Sequence, residues 1–372
     1  MLLLLAALAP ALAAPVSADV TTLPPPVRGD LRLTYDLAAE SAAFREGTRT
    51  DLGRRNIAAH TLTWMGQFSP VTGLGLSVEV PHIVAEGVRY RDVGTMTFDP
   101  NADGGTLSTA AGRSSPDGLS GEGVGGVWLA VQGLPLSESA FAARGDRASA
   151  LLDVGYRFRD ATNFWTVTDG VRGAGPGASA FRLGAAFSTT RGPARPFVTT
   201  RWVRTVALST DLVDDAGRTL ARGVEILPAT TLDLTAGTEI TGATWGDDGA
   251  RLDVDLRARV GYRSWQDIPS GTYLPSILDA SRGLVVNEGE GLSATGAAGL
   301  RVRFHEVVQL DVSGECGVAS SRRVEHIYPV STRAGALVWG VQTALRFRVR
   351  DNLWAQPGPA ALPVAPRPAI GG

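Results

Sequence analysis

RLDVDLRARVGYRSW, residues Arg251–Trp265, decides how the rest of the chain is read. Leu252, Val254, Leu256, Ala258, Val260 and Tyr262 alternate with Arg251, Asp253, Asp255, Arg257, Arg259 and Arg263. A side-chain period of two is the mark of a β-strand, since successive Cβ atoms leave opposite faces of the pleat. Its length is equally informative. An ordinary globular strand has about five or six residues, whereas a tilted strand crossing a bilayer needs about nine to eleven. The pattern therefore predicts an outer-membrane β-barrel, with its apolar face against lipid and its charged face inward.

The same period recurs along the chain. It predicts about twelve strands, near Asp30–Glu40, Arg55–Ser69, Gly73–Val84, Gly121–Leu134, Arg147–Asp160 and Ala180–Thr190, then Pro196–Ser209, Thr230–Gly242, Ala250–Trp265, Leu292–Phe304, Val307–Ser320 and Gly335–Arg350. An even count suits an antiparallel up-and-down barrel whose termini share the periplasmic side. Connection lengths alternate as such barrels require, short on the inner side and longer on the outer. Short turns are expected around Pro70, Pro193, Asp247 and His305-Glu306. Long loops are expected after the first strand, over Ala85–Ser120, Thr210–Ala229 and Gln266–Gly291, and before the last strand. Pro135–Asp146, on the inner side, is longer than the rule predicts.

Aromatic placement agrees with two membrane interfaces. Phe68, Phe304 and Phe347 fall at predicted periplasmic ends and Phe158, Tyr262 and Trp339 at extracellular ends, all six in the apolar phase as a lipid-facing girdle. Trp64 and Trp202 lie nearer strand centres.

The chain has 372 residues, 35 basic and 37 acidic, all the basic ones arginine, and a pI near 6.1, so it carries no electrostatic footprint for nucleic acid. MLLLLAALAPALAAPVSADV reads as a secretory signal peptide over residues 1–18, with small-residue cleavage sites at Ala11-Leu12-Ala13 or Val16-Ser17-Ala18. Residues 19–29 follow as a periplasmic segment, 30–350 as the barrel, and 351–372 as a proline-rich disordered tail. Barrel-assembly machinery reads a terminal aromatic, here Phe347 or Trp354. The single Cys316 lies in the apolar phase of its strand and reads as a small buried hydrophobe.

No residue set predicts a cofactor, a metal or a catalytic site. Gly121–Gly126 matches G-x-G-x-x-G but opens a strand, not the helix a dinucleotide fingerprint needs. His60, His82, His305 and His326 have no metal spacing; His60 is in phase with Leu62, Trp64 and Phe68 on the expected lipid face, but a surface-active enzyme would need a Ser/His or Asp/His constellation there. Asp211, Asp214 and Asp215, and Asp247-Asp248, read as solvated turns.

The inward face holds the informative constellation. Arg157, Arg182, Asp233, Glu239, Asp253, Asp255, Arg257, Arg259, Arg263, Arg301, Arg303, Asp311, Glu315, Arg346 and Arg348 share the polar phase and are predicted to line the lumen, as do Arg32, Asp36, Glu79 and Asp153. Against lipid each would cost about 2–4 kcal/mol at mid-depth, which forces them inward in a membrane. Opposed acidic and arginine ladders set up a transverse field that orients polar solutes. With about twelve strands a narrow or partly plugged pore is favoured over a wide one, because diameter grows with strand number.

Three segments resemble the outer-membrane proteins of the meta-pathway-of-phenol-degradation, or transporter-like, family. GLSVEVPHI (Gly75–Ile83) is similar to a strand ending in proline and an aromatic or imidazole. SGEGVGGVWLAVQ (Ser120–Gln132) is similar to a glycine-rich loop entering a strand, with Gly125-Gly126 where the family has Gly-Asp. GVEILPATTLDLTAGTEI (Gly223–Ile240) resembles a proline-containing approach to a glycine-bearing strand. The resemblance implies a barrel of this size, partnered by outer-membrane lipid, that passes small, often aromatic or hydrophobic, molecules. The readings set against it are a non-conducting structural or surface-interaction barrel and a soluble periplasmic β-sandwich that binds a ligand.

Overall fold

A computed structural model describes residues 21–46, 49–92, 95–99, 106–110, 119–138, 140, 148–159, 167–168, 171–172, 177–213, 219–245, 250–265, 285–305, 307–326 and 331–348. The expected signal peptide, the proline-rich tail with Trp354, the Asp247 turn and most of Gln266–Gly291 lie outside them.

Twelve strands form the wall: β1 (Arg28–Glu46), β2 (Arg49–Val71), β3 (Leu74–Asp92), β4 (Trp128–Leu136), β5 (Ser149–Arg157), β6 (Ala180–Ser188), β7 (Ala194–Thr205), β8 (Thr231–Trp245), β9 (Ala250–Arg263), β10 (Gly291–Arg303), β11 (Val308–His326) and β12 (Ser331–Arg348). Each pairs antiparallel with its chain neighbours, and β12 returns to β1 with Leu33 opposite Leu345, so the sheet closes and no edge is left. Closure lets neighbouring strands satisfy one another's ladder hydrogen bonds where they pair, the condition for strands in lipid.

The two faces divide as the alternation predicts. Along β9, Asp253 is fully buried and Asp255 buried, while Leu256, Val260 and Tyr262 are exposed. Outward-facing apolar residues are exposed around the ring, Val154 at 57% for example, because among the described residues none forms a layer outside this wall. A β-sandwich would bury those residues between sheets. That reading is thus overturned. Of the girdle, Phe158, Tyr262, Phe304, Trp339 and Phe347 are exposed and Phe68 half-buried, all on the outer face. Cys316 also faces outward, and it is exposed where a buried hydrophobe was expected.

The wall is not uniform in height. β4, β5 and β6 have nine residues each, about one bilayer crossing, whereas β1, β2, β3, β11 and β12 have 19, 23, 19, 19 and 18. The long outer loops expected after the first strand and before the last are therefore corrected: residues 41–46 and 49–54 belong to β1 and β2, and residues 321–326 and 331–334 to β11 and β12. Hydrophobic alternation vanishes there because a strand clear of the bilayer has water on both faces. Inside the expected Ala85–Ser120 loop lies a hairpin, Thr95–Asp99 with Thr106–Ala110, and a second, Leu208–Val213 with Thr219–Ile226, takes up most of the expected Thr210–Ala229 loop and the last two residues of the strand expected at Pro196–Ser209.

The strand expected at Gly121–Leu134 is broken. Leu119–Val124 pairs with upper β3, and β4 begins only at Trp128. His82 lies opposite Val124 and Glu79 opposite Trp128, so one extra residue sits between them, a bulge. Pro81 of β3 has no N–H to offer there, and its carbonyl instead accepts from Gly125 N at 2.8 Å.

Candidate functional site

The candidate site is the interior. Every residue expected to line it lies on the inward face: Arg157, Arg182, Asp233, Glu239, Asp253, Asp255, Arg301, Asp311 and Arg346 are buried, and Arg257, Arg259, Arg263, Arg303, Glu315 and Arg348 half-buried. The strand period dictates this, since a two-residue step returns each side chain to the same face.

These charges gather into two networks. In the first, Arg182 of β6 donates through Nε to Asp153 Oδ2 of β5 at 2.6 Å and through Nη1 to Glu79 Oε1 of β3 at 2.9 Å. Trp128, at the start of β4 and buried, lies under two guanidiniums, Arg182 at 5.0 Å and Arg157 at 5.4 Å from the ring centroid. Both distances fall within cation–π range. Arg157 also donates through Nη2 to the Ala178 carbonyl at 3.1 Å.

In the second, Arg301 of β10 donates to Asp311 Oδ1 of β11 and to Glu239 Oε1 of β8, both at 2.6 Å. Gln309 Nε2 donates to both oxygens of Asp311, and Arg32 of β1 stands 3.9 Å from it. Arg251 reaches Asp253 at 2.8 Å and Glu239 at 3.8 Å. Nearby, Arg259 pairs with Asp233 at 2.9 Å and Arg257 with Asp255 at 3.0 Å, while Arg346 pairs with Asp30 and Gln342 with Asp36. Fixed opposite charges of this kind keep an interior hydrated and polar without net charge.

Between the networks is a cavity of ≈ 230 Å³. Asp30, Asp36, Glu79, Asp153, Asp233 and Glu315 border it, as do Arg32, Arg182, Arg201, Arg257, Arg259 and Arg346, six acids against six bases. Met65 of β2, Leu151 of β5 and Phe197 of β7 also border it. Phe197 lies over Gly237, where an added Cβ would come within 2.7 Å of its Cζ, so glycine lets the ring rest against the wall and leaves the centre open.

Sequence reading missed Trp128, Phe197, Arg201 and Asp30. Trp128 shares its phase with Ala130 and Gln132, a polar-or-small alternation that signals an inward position, yet the adjacent glycines drew attention to the loop. Asp211, expected in a turn, lies instead in the hairpin strand Leu208–Val213, where its carboxylate accepts from Gly223 N of the paired strand at 2.8 Å. His60 faces outward, its Nδ1 2.7 Å from the Tyr35 hydroxyl. Among the described residues no group of three His, Cys, Asp or Glu residues is placed to hold a metal ion.

No protein-family model matches the chain, and no curated protein does. Among solved structures, an outer membrane channel from Pseudomonas putida F1 is similar with a TM-score of 0.52 at 11% identity, over 90% of this chain and 99% of that one. A FadL homologue from Pseudomonas aeruginosa gives 0.40 at 10%, over 86% and 90%. A monoaromatic hydrocarbon channel, CymD, gives 0.36 at 14%, over 87% and 89%. At such identities the likeness is one of fold. Closed antiparallel wall, apolar exterior and charged interior together define an outer-membrane β-barrel.

Proposed function

We propose that this barrel is a narrow passive channel for small molecules, with no catalytic step of its own. The carrying observation is the balanced, bordered cavity. At ≈ 230 Å³ it exceeds the roughly 150 Å³ that accommodates a benzene ring in a protein interior, so it suits one small solute at a time. Six carboxylates and six guanidiniums leave neither sign of ion favoured, while Met65, Leu151 and Phe197 along the border offer a ring or short chain apolar contacts. The resemblance to the phenol-pathway family supports small aromatic or hydrophobic compounds as the cargo.

Planar-bilayer recording tests the proposal, with phenol-sized and disaccharide-sized solutes compared in liposome swelling. The expected result is a small unitary conductance with little ion selectivity and swelling in the smaller solute alone. A barrel tight to ions and to both solutes would overturn the channel and leave the surface-interaction reading.

A further inference from the structure

The chain ahead of β1 does not leave the barrel. Val27 N donates to the Ser69 carbonyl of β2 at 2.7 Å, and Val27 itself has φ 60°, a left-handed conformation that valine rarely adopts. That turn sends Thr21–Pro26 inward. Leu23 seats against β3 so closely that a Cβ on Gly75 would come within 2.8 Å of its Cδ2. Thr21, 0% exposed, ends on the far wall: its hydroxyl lies 2.6 Å from Ser188 Oγ at the end of β6 and accepts from Arg195 Nη2 of β7 at 3.0 Å.

In a ring of twelve, β6 and β7 stand opposite β1. Strands ~4.8 Å apart and tilted ~40° make such a ring roughly 24 Å across at the backbone. Six steps from Thr21 to Val27, at about 3.1 Å each in the extended form that Pro24-Pro25-Pro26 enforces, reach about 19 Å. With a side chain at each end, that spans the mouth. Thr22 is among the residues bordering the cavity, so the strap meets the cavity there.

We propose that residues 21–26 form a gate across the periplasmic mouth and that Thr21 is its latch; the proposal rests on the channel reading. Thr21 is held by neutral hydroxyl contact and one guanidinium, whereas the wall beside it is tied by ion pairs. The prolines make the strap stiff, so it swings as a unit about Val27 once Thr21 lets go of β6 and β7 and Thr22 and Leu23 give up their own contacts. Solute then passes from the cavity to the periplasm beneath it.

Two variants test this in the full-length chain reconstituted in planar bilayers and liposomes. A variant lacking residues 21–26 is expected to raise unitary conductance several-fold and to admit the disaccharide-sized solute. The second, T21C/S188C with Cys316→Ser, is expected to form a disulfide, lose solute uptake when oxidised and regain it on reduction. Heat-modifiable gel mobility verifies that each is folded. Failure of the disulfide to form, or wild-type conductance unaltered by both deletion and lock, overturns the gate while the channel stands. Wild type and deletion alike silent overturns the channel and the gate with it.

Discussion

Replacing Arg301 with methionine removes the hub of the second network while keeping much of its volume. Arg301 is 2% exposed and holds two carboxylates, Glu239 and Asp311, at 2.6 Å each. Breaking a buried pair by deleting one partner costs about 3–5 kcal/mol, because the remaining charge stays desolvated without its counterion. Partial replacements exist: Arg251 stands 3.8 Å from Glu239, and Gln309 and Arg32 attend Asp311. The loss should therefore sit at the lower end, about 3 kcal/mol, or roughly a hundredfold in the folded-to-unfolded ratio. Urea unfolding of the barrel in lipid vesicles, followed by tryptophan fluorescence, measures it. The shift should persist in 1 M salt, since buried pairs are little screened. Adding Glu239→Gln to the variant should recover part of the loss. A change below about 1 kcal/mol in R301M would mean that water reaches these carboxylates freely and that the network is not a closed structural unit.

Other substitutions probe the two faces of the wall. G237A adds a Cβ within 2.6 Å of the Leu256 carbonyl and 2.7 Å of Phe197 Cζ, and it should destabilise by about 1–3 kcal/mol, partly relieved by Phe197→Leu; unfolding midpoints at constant slope decide. V260R places a guanidinium on the outer face, where Val260 is 51% exposed, and should cost about 2–4 kcal/mol in a bilayer. Equal stability of V260R and wild type in vesicles would show that this face does not meet lipid.

How much was legible in the sequence differs by element. β9 was readable to within a residue or two, because inside the bilayer its two faces meet opposite environments and the alternation is sharp. The tops of β1, β2, β11 and β12 were not, since RTDLGRRN (residues 49–56) and SSRRVEH (residues 320–326) keep the strand but lose the apolar contrast. The charged interior was legible by phase, as Asp253, Arg257 and Arg301 illustrate. Its pairings were not: Glu79 and Arg182 are 103 residues apart, and only the closed ring brings them together. TTLPPP (Thr21–Pro26) reads locally as a linker. Its role at the mouth depends on Ser188, 167 residues away from Thr21.

The arrangement of pairs bears on whether the interior is open. Each ion pair described above joins strands at most three places apart around the ring: Arg182 on β6 with Glu79 on β3, Arg301 on β10 with Glu239 on β8, Arg32 on β1 with Asp311 on β11. Such chords lie along the wall. Arginine chains laid this way cover the inner surface with methylene stems and fixed dipoles, and the cavity remains between them. Pairs between opposite strands would instead bar the centre and make the charges a plug. The residues that do cross from one wall to the other, at the mouth, are Thr21–Pro26. They form no ion pair across it, and their far end is held through the Thr21 hydroxyl. On the proposed channel and gate, the wall pairs fix the bore, and the strap, which carries no charged side chain, is the part that must yield.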